Sequence, residues 1–116
     1  MKIVVNSCYG GFGLSHEAVM LYAQKKGMPL YPKQDEWDQW TYFTTPEQTY
    51  EAGSFYPSSD LERNDPILAE VVEQLGKKAD GNYAELRIVE IPDNAAWEID
   101  EYDGQESVRE PSRTWG

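Results

Sequence analysis

The residues from Asp65 to Gly76 constrain the fold more than any other part of the sequence. Asp65 can cap a helix that Pro66 begins, because proline suits the first helical position, and Gly76 to Gly81 supply the ending. Apolar side chains recur on one side of this helix, opposite four charged ones. The apolar stripe is Ile67, Leu68, Val71, Val72 and Leu75, and the charged side is Glu70, Glu73, Lys77 and Lys78. A helix of this kind buries one face, which predicts packing on a sheet.

Other segments predict the strands of that sheet and a second helix. Lys2–Asn6 is a short run rich in β-branched residues, and the pattern from about Ser15 to Lys26, followed by Gly27, predicts a helix. Near the other end the segments "YAELRIVEI" and "AWEIDEYDG" predict two strands joined by a hairpin turn at Pro92 to Asn94. A further turn at Asp103-Gly104 precedes a short edge strand and a tail. We therefore expect an α/β (α+β) fold with a small mixed or antiparallel sheet and two packed helices, in a single domain spanning 1–116.

Charge and cysteine usage exclude several classes of function. The chain has 116 residues, 21 acidic against 10 basic side chains and a net charge of −11, so a nucleic-acid polymer or an anionic membrane would be repelled. With one cysteine, Cys8, and one histidine, His16, we expect no disulfide, metal site or cofactor. No apolar run approaches the ~20 residues of a membrane span. These features predict a cytosolic protein, and a small anion remains a possible ligand because it needs only a few local cations.

The segment 28–62 combines prolines and aromatic residues with acids and shows no clear periodicity. We interpret it as an irregular, aromatic-rich lid or oligomerisation segment, because so long a stretch without regular elements is uncommon in a compact domain. The alternative is a surface excursion packed by its own aromatics. A core of this size cannot bury Trp37, Trp40, Tyr42 and Phe43 together, so we expect a dimer or a larger assembly.

The glycine-rich loop after the first strand is a candidate anion site. Backbone N–H groups and the helix dipole converge where such a loop meets a helix, which makes Tyr9, Gly10, Gly11 and Phe12 candidate ligand-binding residues. The loop lacks the Gly-Lys-Ser/Thr ending of a Walker motif and does not match the dinucleotide fingerprint. A purely structural turn is therefore the alternative.

Cys8 and His16 could form a nucleophile and its base, because a helix N-terminus stabilises a thiolate. Equally, Cys8 suits the end of a buried strand and His16 suits a solvent-facing first turn. We favour the structural interpretation for both residues and expect no enzyme.

The arginines are informative because the chain has few of them: Arg63, Arg87, Arg109 and Arg113. In so acidic a chain each could pair with a carboxylate. Alternatively, Arg63 at the entrance to the second helix, with Arg109 and Arg113 near the C-terminus, could clamp phosphates through their forked guanidinium groups. Arg87 is interpreted as a cross-strand ion-pair partner. Possible stacking surfaces are Tyr83, Tyr102 and Trp115.

Three segments, "KIVVNSCYGGFGLSHEAV", "RNDPILAEVVEQLGKKADG" and "LRIVEIPDNAAWEIDEYDGQESVREPSRTW", resemble a set of small tailed-phage proteins. Through them the chain resembles the first family of anti-Thoeris sponge proteins, which sequester cyclic ADP-ribose isomers. The resemblance covers the chain outside the aromatic segment from about Tyr31 to Asp60. It implies an α/β binding protein whose dimers associate into a hexamer, and whose interface pockets trap the signal without cleaving it. Some members also hold cyclic di- or trinucleotides at a second site.

The resemblance also implies which residues hold the ligand. Family sites use arginines, an aromatic residue and an asparagine, and the matching positions here are Arg63, Arg109 or Arg113, Tyr83 and Asn94. Where members carry an arginine on the first helix, this chain offers Lys25 or Lys26, which lack the bidentate fork.

The function expected from the sequence is therefore that of a phage anti-defence sponge in the host bacterial cytosol. It would bind a cyclic adenine-nucleotide immune signal, such as glycocyclic ADP-ribose or a cyclic oligonucleotide, without cleaving it. The alternatives are an acidic protein-binding inhibitor or DNA mimic and, third, a small enzyme that depends on Cys8.

Overall fold

A central pair of antiparallel strands organises the molecule, as seen in a computed structural model that describes residues 1–111. β1 pairs with β5, with Val4 opposite Ile88 and Asn6 opposite Leu86. In chain order the elements are β1 Lys2–Asn6, α1 His16–Lys26, β2 Tyr31–Gln34, β3 Trp40–Phe43, β4 Ser54–Phe55, α2 Pro66–Leu75, a 3-10 turn Gly76–Ala79, β5 Leu86–Glu90, β6 Glu98–Tyr102 and β7 Gln105–Arg109. The protein is a single α+β domain with two helices and several small antiparallel sheets.

β1 is buried on both faces, and its side chains alternate between those faces as they do along any strand. Val4 packs into the core formed with both helices, together with the half-buried Leu86 and Ile88 of β5. Ile3 and Val5 point to the opposite face and are also fully buried. β7 lies near β1, and the Glu106 carboxylate of β7 accepts the outward-pointing Asn6 N–H of β1.

Both helices begin where the sequence predicts. The Ser15 hydroxyl accepts the N–H of Ala18 at the start of α1, and Gly27 ends that helix in the left-handed conformation. The Asp65 carboxylate accepts the N–H of Ile67 at the start of α2, with Pro66 in the first helical position. These caps satisfy N–H groups that have no partner within the helix.

The predicted hairpin between β5 and β6 is wrong. β5 pairs with β1, whereas β6 pairs with β7. Asp103 and Gly104 both have positive φ, 51° and 89°, and a two-residue turn of that kind directs the chain straight back on itself. The Pro92 turn does form, with the Ala95 N–H bonded to the Pro92 carbonyl, but the chain beyond it leaves β5.

The segment 28–62 is more regular than the sequence predicted, because it contains the three-stranded antiparallel sheet β2-β3-β4. The Asp35 carboxylate accepts the N–H groups of Trp37 and Gln39 and so closes the β2–β3 turn. Pro32 obscured the strand pattern, yet it is tolerated because β2 lies at the sheet edge. Tyr42 and Phe43 are buried.

Candidate functional site

Buried Asn6 ties together three segments at the end of β1. Its side-chain amide donates to the Cys8 carbonyl at 2.6 Å and to the Gly104 carbonyl at 2.7 Å. Its side-chain oxygen accepts the N–H of Glu85 at 2.8 Å and that of Cys8 at 3.3 Å. The glycine loop, the start of β5 and the β6–β7 turn are therefore held by one side chain. Sequence reasoning missed this residue, although a polar side chain ending an apolar strand was the available signal.

The glycines of the loop allow its backbone to approach the segment before β5. A Cβ at Gly10 would lie 1.9 Å from the Tyr83 carbonyl oxygen, and one at Gly81 would lie 2.8 Å from the Gly13 carbonyl carbon. The Gly81 N–H donates to the Gly13 carbonyl at 3.0 Å. These contacts support the structural role that the sequence left as the alternative for this loop, and they fix the position of Tyr9.

Arg63 is held inside the molecule. Its guanidinium forms a two-pronged ion pair with the Glu106 carboxylate at 2.5 and 2.9 Å and lies 3.5 Å from the centre of the Phe12 ring. The same carboxylate accepts the Asn6 N–H at 2.9 Å. Only 8% of the Glu106 side chain is exposed. The ion-pair alternative for Arg63 is thus what the structure contains, and Phe12 packs on this pair.

A cleft of about 770 Å³ lies between the glycine loop and the segment before β5. Three residues predicted to bind ligand, Tyr9, Gly10 and Tyr83, line it. The tyrosine side chains are largely exposed, at 67% and 77%. The volume falls within the ~300–1,000 Å³ range of small-molecule sites. Two available phenol rings and a close-packed backbone therefore border one concave surface.

The charged groups of this cleft come from the connection between α2 and β5. Lys77, which the sequence placed on the solvent-facing side of the helix, lies in the 3-10 turn and lines the cleft. Asp80 and Glu85 line it as well, but the Asp80 carboxylate accepts the N–H of Leu86 at 2.9 Å. Among the described residues no ion pair engages Lys77, so its ammonium group remains available to an anion.

Cys8 and His16 have different partners. The Cys8 thiol donates to the Tyr83 carbonyl at 3.1 Å. The His16 ring stacks on Trp40 at 3.8 Å, and its Nδ1 lies 3.0 Å from the Tyr42 hydroxyl. Burial raises the pKa of Tyr42 to about 12, which keeps this phenol protonated and able to donate. The His16 ring therefore packs within an aromatic cluster with Trp40 and Tyr42.

The other predicted ligand residues do not meet at the cleft. Tyr83 precedes β5 and Asn94 follows it, so the two lie beyond opposite ends of the strand. Arg109 pairs with Glu98 at 2.5 Å, at the far end of the hairpin from the Gly104 turn. Gly11 belongs to the loop but does not line the cleft. Arg113 lies outside the described residues.

Arg87 does not have the cross-strand ion pair that the sequence predicted. Its neighbour across the ladder is Val5, an apolar residue, and no carboxylate among residues 1–111 forms an ion pair with it. The correction follows from the pairing of β5 with β1, because β1 carries no acidic residue.

The chain matches no protein-family model, no curated protein and no solved structure. Within residues 1–111, no group of three His, Cys, Asp or Glu side chains is placed to hold a metal ion. No helix in that range has the length and apolar character needed to cross a membrane. The cleft is therefore interpreted from its own geometry.

Proposed function

We propose that this protein binds and sequesters a cyclic adenine-nucleotide signal, without cleaving it, in the cytosol of a phage-infected bacterium. The observation that carries the proposal is that Tyr9 and Tyr83 border one cleft of about 770 Å³. The resemblance to anti-Thoeris sponges supports the same class of ligand. Glycocyclic ADP-ribose and cyclic oligonucleotides are the candidates.

The cleft offers phenol rings for a base and one cation, Lys77, for a phosphate, beside the carboxylates of Asp80 and Glu85. An adenine ring can stack on an exposed phenol ring, which contributes about 1–3 kcal/mol per base. The Lys77 ammonium attracts phosphate in an otherwise acidic protein. Arg113 remains a predicted phosphate ligand, whereas Arg63 and Arg109 already have carboxylate partners.

Sequestration requires tight binding and no turnover, because its benefit comes from mass action. The surroundings of the only cysteine and the only histidine favour binding over catalysis. The Cys8 thiol donates to a backbone carbonyl, and His16, the available base, is stacked against Trp40. The Cys8-dependent enzyme is the weaker alternative for this reason.

Two equally exposed tyrosines provide a matched test of the cleft. Tyr83 lines it, whereas Tyr102 on the hairpin has nearly the same exposure, 75% against 77%, and does not line it. We expect Tyr83→Ala to weaken binding of glycocyclic ADP-ribose or a cyclic dinucleotide about 10- to 100-fold, measured by titration calorimetry. Tyr102→Ala should bind as the unaltered protein does. Equal binding by both variants would place the ligand elsewhere.

The fate of the ligand separates a sponge from an enzyme. The complex, denatured by heat, should release the cyclic nucleotide intact, which mass spectrometry detects directly. A linear product such as ADP-ribose or AMP as the sole species recovered would show that the protein cleaves its ligand, and would also revive the interpretation based on Cys8.

An acidic protein-binding inhibitor or DNA mimic is a second candidate, favoured by the tip of the β2–β3 hairpin. Trp37 is 74% exposed there, between Asp35, Glu36 and Asp38. Exposed aromatic side chains surrounded by carboxylates suit a basic protein partner. Capture of one defined basic protein from host lysate, weakened by salt and lost in Trp37→Ala, would support this function; capture that Trp37→Ala leaves unchanged would oppose it.

A further inference from the structure

The outer edge of β1 is closed. The Val4 N–H donates to the Arg63 carbonyl at 2.8 Å, and the Asn6 N–H donates to the Glu106 carboxylate. These bonds occupy the groups that an incoming strand would need. Proteins commonly protect sheet edges in this way, because unpaired N–H and C=O groups are a template for another chain.

The other sheets offer poor edges for pairing. β2 carries Pro32, and the Gln48 amide donates to the carbonyls of Tyr31 and Pro32. β4 has two residues. The edge of β6 is strongly acidic, with Glu98, Asp100 and Glu101 in five residues, so a second copy would be repelled there. β7 lies against β1.

The outer edge of β5 is different. The Ser7 N–H donates to the Glu85 carbonyl and the Ile91 N–H to the Met1 carbonyl, so the odd-numbered residues of this strand face β1. Backbone groups of even-numbered residues therefore point outward. The Leu86 N–H has a partner in Asp80. Within residues 1–111, no hydrogen bond engages the N–H or C=O of Ile88 or Glu90.

We infer that β5 is the surface through which two copies of this chain pair. Antiparallel pairing with its two-fold axis at Val89 places Ile88 of one copy opposite Glu90 of the other. Each free N–H then faces a free carbonyl, and four new hydrogen bonds form. The two-stranded sheet becomes four-stranded, in the order β1-β5-β5-β1, which is a more stable arrangement than an isolated pair.

A second copy fits this edge better than an unrelated peptide does. The free groups on one strand are complementary to the same groups on an identical strand, which a two-fold interface requires. β5 carries one basic and one acidic residue, Arg87 and Glu90, so two copies meet there with little net repulsion despite the overall charge of −11. This interface is independent of the ligand proposed above.

Substitution of Glu90 tests the interface with a matched pair of variants. Glu90→Pro removes an outward N–H and leaves the ladder to β1 intact, because proline is tolerated on an edge whose N–H faces away from the sheet. Glu90→Ala removes the same charge and keeps the N–H. We expect analytical ultracentrifugation to show a dimer for the unaltered protein and for Glu90→Ala. For Glu90→Pro the dimer dissociation constant should rise about 10- to 100-fold.

Amide hydrogen exchange tests the same interface without a substitution. At high protein concentration Ile88 and Glu90 should be protected, and dilution should remove that protection. Arg87 and Val89 bond to β1 and should stay protected at both concentrations. A monomer at micromolar concentration, unprotected Ile88 and Glu90 at all concentrations, or a dimer that Glu90→Pro leaves intact would overturn the inference. Loss of the dimer in Trp37→Ala alone would instead assign the interface to the aromatic segment.

Discussion

At the scale of single residues, Asn6, Arg63 and Glu106 form one polar network, in which the Glu106 carboxylate accepts both the Asn6 backbone N–H and the Arg63 guanidinium. Each has partners from a different segment of the chain, so the network fixes how β1, the start of α2 and the β6–β7 hairpin fit together. Buried polar groups of this kind stabilise a fold only while every member is satisfied. Removal of one member therefore acts on the whole arrangement.

Arg63→Ala should destabilise the protein by about 3–5 kcal/mol, because it leaves the Glu106 carboxylate buried without its partner. Arg109→Ala is the control. It breaks an ion pair with Glu98 in which both side chains are nearly half exposed, and such pairs contribute at most about 1 kcal/mol. Urea denaturation of the two variants measures both costs. If Arg63→Ala lost as little stability as Arg109→Ala, solvent would have to reach the Glu106 carboxylate readily.

This result would also change how arginine substitutions are interpreted. If Arg63 clamped a phosphate, which the sequence offered as the alternative to an ion pair, Arg63→Ala would lower ligand affinity directly by removing that contact. With the guanidinium held by Glu106 and Phe12, we expect any loss of affinity to follow from displacement of the glycine loop. Stability must therefore be measured alongside binding.

At the scale of elements, Asp65 joins the two helices. Its carboxylate caps α2 through the Ile67 N–H, accepts the Tyr22 hydroxyl of α1 at 2.7 Å and pairs with Lys26 at 2.9 Å. Burial raises the pKa of this carboxyl, but the hydrogen bonds from Lys26, Tyr22 and the Ile67 N–H outweigh that effect and hold the pKa below its ordinary value of 3.8. The folded state therefore stabilises the ionised form of the Asp65 carboxyl over its protonated form.

The sign of the pH dependence follows from the lowered pKa of Asp65. Its stabilising contribution is fully present above the unfolded pKa of 3.8 and is lost as the pH falls through the folded pKa. We expect Asp65→Asn to be less stable than the unaltered protein at neutral pH, with a difference that shrinks in strong acid. Denaturation at neutral pH and in strong acid measures the difference in stability between the two proteins. The same difference at both pH values would contradict a stabilising role for the ionised Asp65 carboxylate. Asp93→Asn, at a 94% exposed position, should have a smaller effect at either pH.

At the scale of the whole molecule, the acidic surface works against compactness. At least six of the 21 acidic side chains take part in ion pairs, namely Asp65, Glu70, Glu73, Asp93, Glu98 and Glu106. A net charge of −11 opposes the folded state through repulsion among the remaining charges.

Salt should therefore stabilise this protein. Between about 10 and 150 mM the screening length falls from about 30 to about 8 Å, which weakens long-range repulsion more than contacts between paired charges. We expect the melting temperature to rise, by about 4 °C for each ~1 kcal/mol of repulsion removed. Thermal melts at low protein concentration measure the effect. A melting temperature that falls with salt would show that the surface ion pairs outweigh the repulsion.

The sequence by itself determined the elements whose causes are local. Asp65-Pro66 and Ser15 set the helix starts, Gly27 ended α1, and Asp103-Gly104 produced the β6–β7 turn, because capping and turn geometry depend on residues only a few positions apart. The sequence also predicted Tyr9 and Tyr83 as ligand-binding residues, although it did not show that they line the same cleft. These features needed no knowledge of distant parts of the chain.

Only the tertiary structure decided which strands pair and which charges meet. β5 pairs with β1, 80 to 88 positions away along the chain, and that pairing displaced the predicted β5–β6 hairpin and left Arg87 without its expected partner. Arg63 meets Glu106 across 43 positions, and Asn94 ends far from Tyr83. Contacts of this range depend on how the whole chain packs, because many carboxylates could have partnered Arg63 and only the packed core selects one of them.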